Sequence, residues 1–237
     1  MAIRYTLAME PLILFEDESV VVLDKPSGMI VHSDGIHDYP PLTDWLDKKY
    51  PSADEATKGY FLVHRLDRET SGVLVVAKTE AAFEFLKEQF HDRDVRKVYR
   101  AFVYGVIKED RGVVDKPIGN ARGGKGPRSA SRPHGTLRDA LTTFKVLDRG
   151  RDATYVEVRP KTGRTHQIRV HFSVIQRPVI ADVLYAPSRP PLLGFKRLAL
   201  HALSLMITLP NGQEKTFTAP LPSDFLAAEV ALKREIS

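Results

Sequence analysis

Cysteine is absent from the 237 residues. That removes a disulfide scaffold, a thiol nucleophile and a cysteine-ligated metal, and it fits a reducing compartment. No apolar run approaches the roughly 18 residues that a membrane-crossing helix requires. The start, Met1 to Pro11, has no long apolar core and no small-residue cleavage site. No secretory signal is read there, and the cytoplasm is the expected compartment. A one-signed charge excess is nearly absent too: Lys+Arg 35 against Asp+Glu 30 leaves +5. Its distribution carries the information. Asn120 to Gly135 holds Arg122, Lys125, Arg128 and Arg132 with no acid, which supplies +4 of that +5. A Gly-rich stretch with cations alone suits phosphate contact, although a solvated loop is the plain alternative.

What is present is ordinary for a soluble globular chain, with 43% hydrophobic and 27% charged residues. Residues 1–10 read as a leader and 11–237 as one domain. Two apolar runs, Leu12–Phe15 and Val20–Leu23, flank a polar turn and predict a hairpin. Thr43 is expected to cap a helix over Asp44–Tyr50, which Pro51 stops. Gly72–Ala77 reads as a buried strand, and Thr79 caps an amphipathic helix over Glu80–His91. Strands are expected over Val98–Val106, Ala140–Leu147, Thr154–Val158, Leu198–Leu209 and Lys215–Thr218. Helices are expected over Thr165–Val174 and, capped by Ser223, over Asp224–Arg234. Connections are too short for repeated βαβ crossovers, so the pattern predicts an α+β fold. Its sheet is expected to be largely antiparallel, with helices on its flanks.

The densest polar motif is His64-Arg65-Leu66-Asp67-Arg68-Glu69-Thr70-Ser71-Gly72. Asp67 between two arginines can be a solvated turn residue, or a carboxylate held among cations that acts as a nucleophile. A second motif, Lys161 to His171, runs from a strand end through Gly163 into a helix. Arg164 at that helix start opposes the helix dipole, a local conflict that points to function. His166 and His171 lie five apart, not at the i, i+4 spacing of a helical zinc pair, so no metal site is read. His64, His166 and His201 are expected to be hydrogen-bonded structural histidines. Tyr99, in Lys97-Val98-Tyr99-Arg100, is either sheet packing or a base platform among cations.

Four blocks together, Asp24–Gly28, His64–Gly72, Lys97–Gly105 and Lys161–His171, closely resemble the RluA-type pseudouridine synthases, and Leu200-His201-Ala202 resembles a fifth. One departure is Ala181 ahead of Asp182 and Tyr185, where that family often has Gly. The resemblance implies a mixed, mostly antiparallel sheet with a central RNA-binding cleft and Asp67 as the catalytic aspartate. It further implies that Tyr99 stacks on the target base and that Arg164 pairs with the catalytic carboxylate. Arg65 would hold the place of the flipped nucleotide, and Ile168 would pack in the site. The implied reaction detaches a uridine base in RNA and rejoins it through carbon 5, with no cofactor and no metal. Expected partners are tRNA, rRNA or both, no membrane, and no second copy of the chain. With the first strand expected near Leu12, no domain is expected ahead of it, and recognition is expected to rest on the catalytic domain and loop 120–135. Two other readings are an inactive RNA-binding or ribosome-assembly factor on the same fold and a carboxylate glycosidase. The second wants two carboxylates about 5–9 Å apart, and only Asp67 and Glu69 lie close in the motif.

Overall fold

The computed structural model describes residues 10–33, 40–52, 59–121, 128–131 and 133–234. Residues 1–9 of the expected leader lie outside the described residues. The elements in order are β1 (Leu12–Glu16), β2 (Val20–Lys25), α1 (Leu42–Lys49), β3 (Phe61–Leu62), β4 (Ser71–Ala77), α2 (Glu80–Asp92) and β5 (Arg96–Tyr104). Then follow β6 (Arg111–Asp115), β7 (Ile118–Asn120), β8 (Arg128–Ser129), β9 (His134–Arg138), β10 (Leu141–Arg149) and β11 (Ala153–Pro160). The chain continues with α3 (Gln167–Val174), β12 (Leu200–Thr208), β13 (Glu214–Thr218) and α4 (Ser223–Arg234). One ten-stranded sheet runs β1-β2-β4-β12-β5-β11-β10-β6, with β13 on β12 and β3 on β4. Among the described residues, only its β4–β12 pairing is parallel. The α+β expectation holds, and the sheet is mixed and mostly antiparallel.

Alternation on β2 and β4 explains the layers. Val20, Val22, Val73 and Val75 pack with Ala82 and Leu86 of α2 on one face. Val21, Leu23, Leu74 and Val76 pack with Leu42 and Leu46 of α1 on the other. Both faces are covered, which is why all seven residues of β4 are buried and its run reads as continuously apolar. A larger core around Phe102, Phe172, Phe195 and Phe225 joins β5 to α3 and α4. Tyr99 packs against both this core and the α1 face, and so stands at their seam.

Several boundaries move. Helix α1 begins at Leu42 with Pro41 as its N-cap and no side-chain cap, so Thr43 is inside it. The buried i, i+4 pair Leu42 and Leu46 anchors that first turn. The Thr79 cap forms as expected, its side chain accepting from Ala82 N at 3.1 Å. Strand β5 stops at Tyr104 because Gly105 turns the chain at φ 76°. Helix α3 starts two residues later than its spacing suggests, because His166 adopts a left-handed conformation. Helix α4 takes in Ser223, the residue expected to cap it. The expected loop 120–135 is in part a second sheet, β8-β7-β9. Every residue of β9 is exposed, so it has no apolar alternation to read.

Gly72 joins the His64–Gly72 motif to β4 at φ +113°, and a Cβ there would lie 2.1 Å from the Ala202 carbonyl oxygen. Only glycine fits where the motif touches β12. Ala181 shows the opposite case. It sits at φ 57°, where a Cβ is strained. Replacing it with Gly relieves that strain but adds freedom to the unfolded chain. The expected result for Ala181→Gly is a net gain of about 0.5–1 kcal/mol in a urea or thermal melt.

Candidate active site

The upstream block Asp24–Gly28 is a clasp for the loop that carries Asp67. The fully buried Lys25 donates from Nζ to the carbonyls of Pro26 and Met29 at 2.9 Å and of Arg68 at 3.1 Å. Burial pushes its ammonium down to about 7, against the pull of Glu69 and Asp67. Ser27 Oγ donates to Glu69 O at 2.7 Å, and Gly28 N to Arg68 O at 2.8 Å. Behind the loop, Ser71 Oγ meets His201 Nδ1 at 2.9 Å and accepts from Arg197 Nη1 at 3.2 Å. Asp67 is thus held by its own loop, with Thr70 N donating to its backbone carbonyl at 3.1 Å.

The second motif is built as tightly. Gln167 Oε1 accepts from Thr162 Oγ1 at 2.6 Å and from Arg164 N at 3.0 Å, while its amide nitrogen donates to Leu141 O and Thr142 Oγ1, both at 3.0 Å. This side chain ties the Gly163 turn to β10 and aims α3 at Asp67.

Between these motifs lies an open cavity of about 740 Å³. Asp67, Tyr99, Arg65, Arg164, Ile168 and Arg169 all line it. The volume is in the range of sites that hold a small molecule or one nucleotide. Arg65 is exposed at its edge, and Ile168 is buried at its wall. Burial, with the Asp67 carboxylate adding, pushes the Tyr99 hydroxyl up, so it keeps its proton.

The expected pairing of Arg164 with Asp67 does not occur. Arg164 Nε donates instead to Asp139 O at 3.0 Å. The partner of the carboxylate is Arg169, whose Nη1 lies 3.4 Å from Asp67 Oδ2. The physical reason is helix phase. Arg164 precedes the helix and points along the turn, whereas Arg169 lies among the buried residues Ile168, Val170 and Phe172. Arg169 also forms a two-point pair with Asp182, Nε to Oδ2 and Nη2 to Oδ1, each 2.8 Å. Their side chains are 5% and 0% exposed. Burial works against the Arg169 charge, yet Asp182 and then Asp67 outweigh it and hold that charge firmly. A signal for Arg169 does exist in the chain: an arginine inside an apolar helix run must find a carboxylate.

His166, expected to be structural, is also a neighbour of Asp67. Its Nδ1 is hydrogen-bonded to Tyr185 Oη at 3.0 Å, and its Nε2 lies 3.9 Å from Asp67 Oδ1. His64 does match a structural role, since its Nε2 accepts from Val75 N at 3.0 Å and its ring stacks on Phe90 at 4.6 Å. His201 has the Ser71 contact already given. Lys97 donates to Thr162 O at 3.3 Å on the cavity wall, and burial, with Arg93 adding, lowers it to about 8. Of the basic segment, Arg122, Lys125 and Arg132 lie outside the described residues. Arg128 is described: it lies on β8, donates to Asn120 Oδ1, and acts electrostatically on His166. The small sheet packs on α3 through Ile118, Ala140 and Val170, with Tyr185 against them.

A family model described as RNA pseudouridylate synthase matches residues 19–174, which hold the clasp, Asp67, Tyr99 and α3. The chain belongs to that family. An uncharacterized RNA pseudouridine synthase YlyB of Bacillus subtilis is 38% identical over 90% of this chain and 69% of its own length. The ribosomal large subunit pseudouridine synthase D of Pseudomonas aeruginosa is likewise 38% identical over 90% of this chain and 69% of that protein. Among solved structures, human RNA pseudouridylate synthase domain containing 4 superposes with a TM-score of 0.75 at 30% identity, covering 93% of this chain and 92% of that one. As a pseudouridine synthase the chain is an isomerase acting on uridine in RNA. Among the described residues no helix is long and apolar enough to cross a membrane.

Proposed function

We propose that Asp67 is the catalytic carboxylate of this synthase, that Tyr99 is the platform for the target base, and that Arg169, not Arg164, sets the carboxylate. The observation that carries this is the convergence of Asp67, Tyr99 and Arg169 in one cavity although they come from three distant segments. The reaction breaks the bond from the sugar to N1 and forms one from the sugar to C5. The proton leaving C5 is matched by one gained at N1, so nothing is oxidised and no outside reactant is required. A base stacked in folded RNA must first be flipped out, at a cost of a few kcal/mol. Stacking on the Tyr99 ring returns about 1–3 kcal/mol. Arg65 at the exposed edge is placed to take the position the base leaves.

The target belongs to structured RNA, ribosomal or transfer. The names of the large-subunit relatives favour ribosomal RNA. Arg128 and the rest of the basic segment are proposed to meet phosphates beside the cleft. The chain is proposed to act as a monomer in the cytoplasm, and the origin of all three site residues in one chain supports the first part. A complete carboxylate, arginine and tyrosine set speaks against the inactive assembly-factor reading. The test is pseudouridine mapping in small and large RNAs after incubation with the protein. Absence of any new pseudouridine would overturn the proposal.

Tyr99 separates into two roles. For Tyr99→Phe the ring is kept and the protonated hydroxyl is lost. RNA affinity is expected to stay within about twofold while the single-turnover rate falls about 10²-fold or more, as for loss of a proton-transfer group. For Tyr99→Ala, affinity should fall as well, by the roughly 1–3 kcal/mol of a stacked base. Filter binding and single-turnover kinetics on one RNA substrate read both. A Phe variant with wild-type rate would leave Tyr99 as a platform only.

A further inference from the structure

Beside Asp67, His166 stands in an unfavourable backbone conformation. It stands at φ 56°, ψ 20°, as the N-cap of α3, and its side chain makes no capping hydrogen bond. A non-glycine residue in this region costs free energy, so something in the native structure must hold it there. The conformation places the imidazole between two oxygens, Tyr185 Oη at 3.0 Å from Nδ1 and Asp67 Oδ1 at 3.9 Å from Nε2. Tyr185 is itself fixed. Its ring meets the His166 ring edge-on with centroids 5.8 Å apart, and the Arg169 guanidinium lies 5.2 Å from its centroid. Asp182 Oδ1 accepts from the backbone nitrogens of Leu184 and Tyr185 at 3.0 and 3.1 Å. The chain of contacts closes on itself: Asp182 holds Arg169, Arg169 and His166 face the two oxygens of Asp67, and Tyr185 joins His166 back to the Asp182 loop.

The tautomer follows from electrostatics. If Nδ1 carried the proton, the lone pair of Nε2 would face a carboxylate oxygen. If the Tyr185 hydroxyl donates to Nδ1, then Nε2 carries the proton and aims it at Asp67. The second arrangement is attractive at both ends of the ring. We propose that His166, locked by Tyr185 as its Nε2–H tautomer, is a positioning residue for Asp67: it holds Oδ1 as a neutral donor while Arg169 holds Oδ2, which fixes the lone pair that meets the substrate. At 3.9 Å the two groups are not hydrogen-bonded in the free protein, and the proposal requires the contact to close when substrate shields the site. Burial keeps the ring neutral by lowering its affinity for a proton, Asp67 and Asp182 raise that affinity, and Arg169 and Arg128 lower it further. On protonation the imidazolium would set a full positive charge against Oδ1 and make the carboxylate a weaker nucleophile. The acid limb of the rate should therefore lie below the ordinary histidine value of about 6.5 and belong to His166.

The inference rests on Asp67 being the reacting carboxylate, but one measurement does not need activity. In protein labelled with ¹⁵N at histidine, the His166 signals, assigned by their loss in His166→Gln, should show a protonated Nε2 and an accepting Nδ1. Tyr185→Phe should remove that bias. A protonated Nδ1 in the wild-type protein would overturn the proposal whatever the enzyme does. Kinetics give the second arm. Gln presents an amide donor near the place of Nε2, whereas Asn presents one only near Nδ1. Asn, however, tolerates the left-handed backbone better. The positioning role predicts a single-turnover rate for His166→Gln within about tenfold of wild type and for His166→Asn about 10²-fold lower, with similar KM, because small misplacements of a reacting group cost that much. It also predicts that His166→Gln loses the histidine limb of the pH profile. A role confined to backbone shape predicts the reverse order, Asn above Gln, and an unchanged limb. Either result would reject the proposal. Full activity of Asp67→Asn would instead reject the catalytic reading and leave the tautomer measurement standing.

Discussion

Asp67→Asn protein is expected to bind RNA about as tightly as wild type and to isomerise it at less than about one per cent of the wild-type rate, since loss of a covalent-type catalyst costs several powers of ten. The substitution keeps the shape of the side chain. The loop that carries it is held from outside by Lys25, Ser27 and Gly28, through the carbonyls of Arg68 and Glu69. None of those bonds uses the Asp67 carboxylate, so the fold and the cavity should survive the change. A melting temperature within a few degrees of wild type would confirm that. Turnover well above one per cent would mean that another group does the chemistry. The only other carboxylate in the motif, Glu69, is engaged with Arg68 Nε at 2.7 Å.

Arg169 should show the largest combined effect. In Arg169→Met the buried Asp182 loses both 2.8 Å bonds to its charged partner. Removing one member of a buried pair leaves an uncompensated charge and typically costs about 3–5 kcal/mol. The variant should therefore unfold at markedly lower denaturant and carry no measurable activity. The double variant Arg169→Met with Asp182→Asn separates the two effects. Asparagine keeps an oxygen for the backbone nitrogens of Leu184 and Tyr185 while removing the buried charge. Most of the lost stability is expected to return and the activity is not, because nothing then sets Asp67. A double variant as unstable as the single one would show that Arg169 acts through packing rather than charge. Recovery of activity would show that Arg169 has no part in positioning the carboxylate.

The blocks that mark the family are contiguous stretches with strong local chemistry, and so they are legible in the chain itself. The fully buried strand Ser71–Ala77 announces itself by an unbroken apolar run, and the Thr79 cap by its place ahead of an amphipathic helix. The short strands β6 to β9 escape such a reading for the opposite reason. β6 and β9 are mostly exposed, and β7 and β8 are only three and two residues long, so no alternation separates them from a loop. The misplaced partner of Asp67 has a different origin. Arg164 and Arg169 are two arginines in one motif, and choosing between them requires the rotation of α3 about its axis. That rotation depends on where the helix begins, and His166, in a left-handed conformation that its residue type does not announce, delays the start to Gln167.

The amino-acid sequence by itself determined the fold class, the family and the two segments that carry the polar motifs, because each is written in local periodicity or in contiguous residues. The tertiary structure alone decided which side chains of those motifs meet. Asp67 and Arg169 are 102 positions apart in the chain and 3.4 Å apart in space. The parallel pairing of β4 with β12, the turn tied by Gln167 and the carboxylate of Asp182 bring them together. Such long-range placement is set by burial and by the need to pair a charge within a core, and neither leaves a periodic trace in the chain.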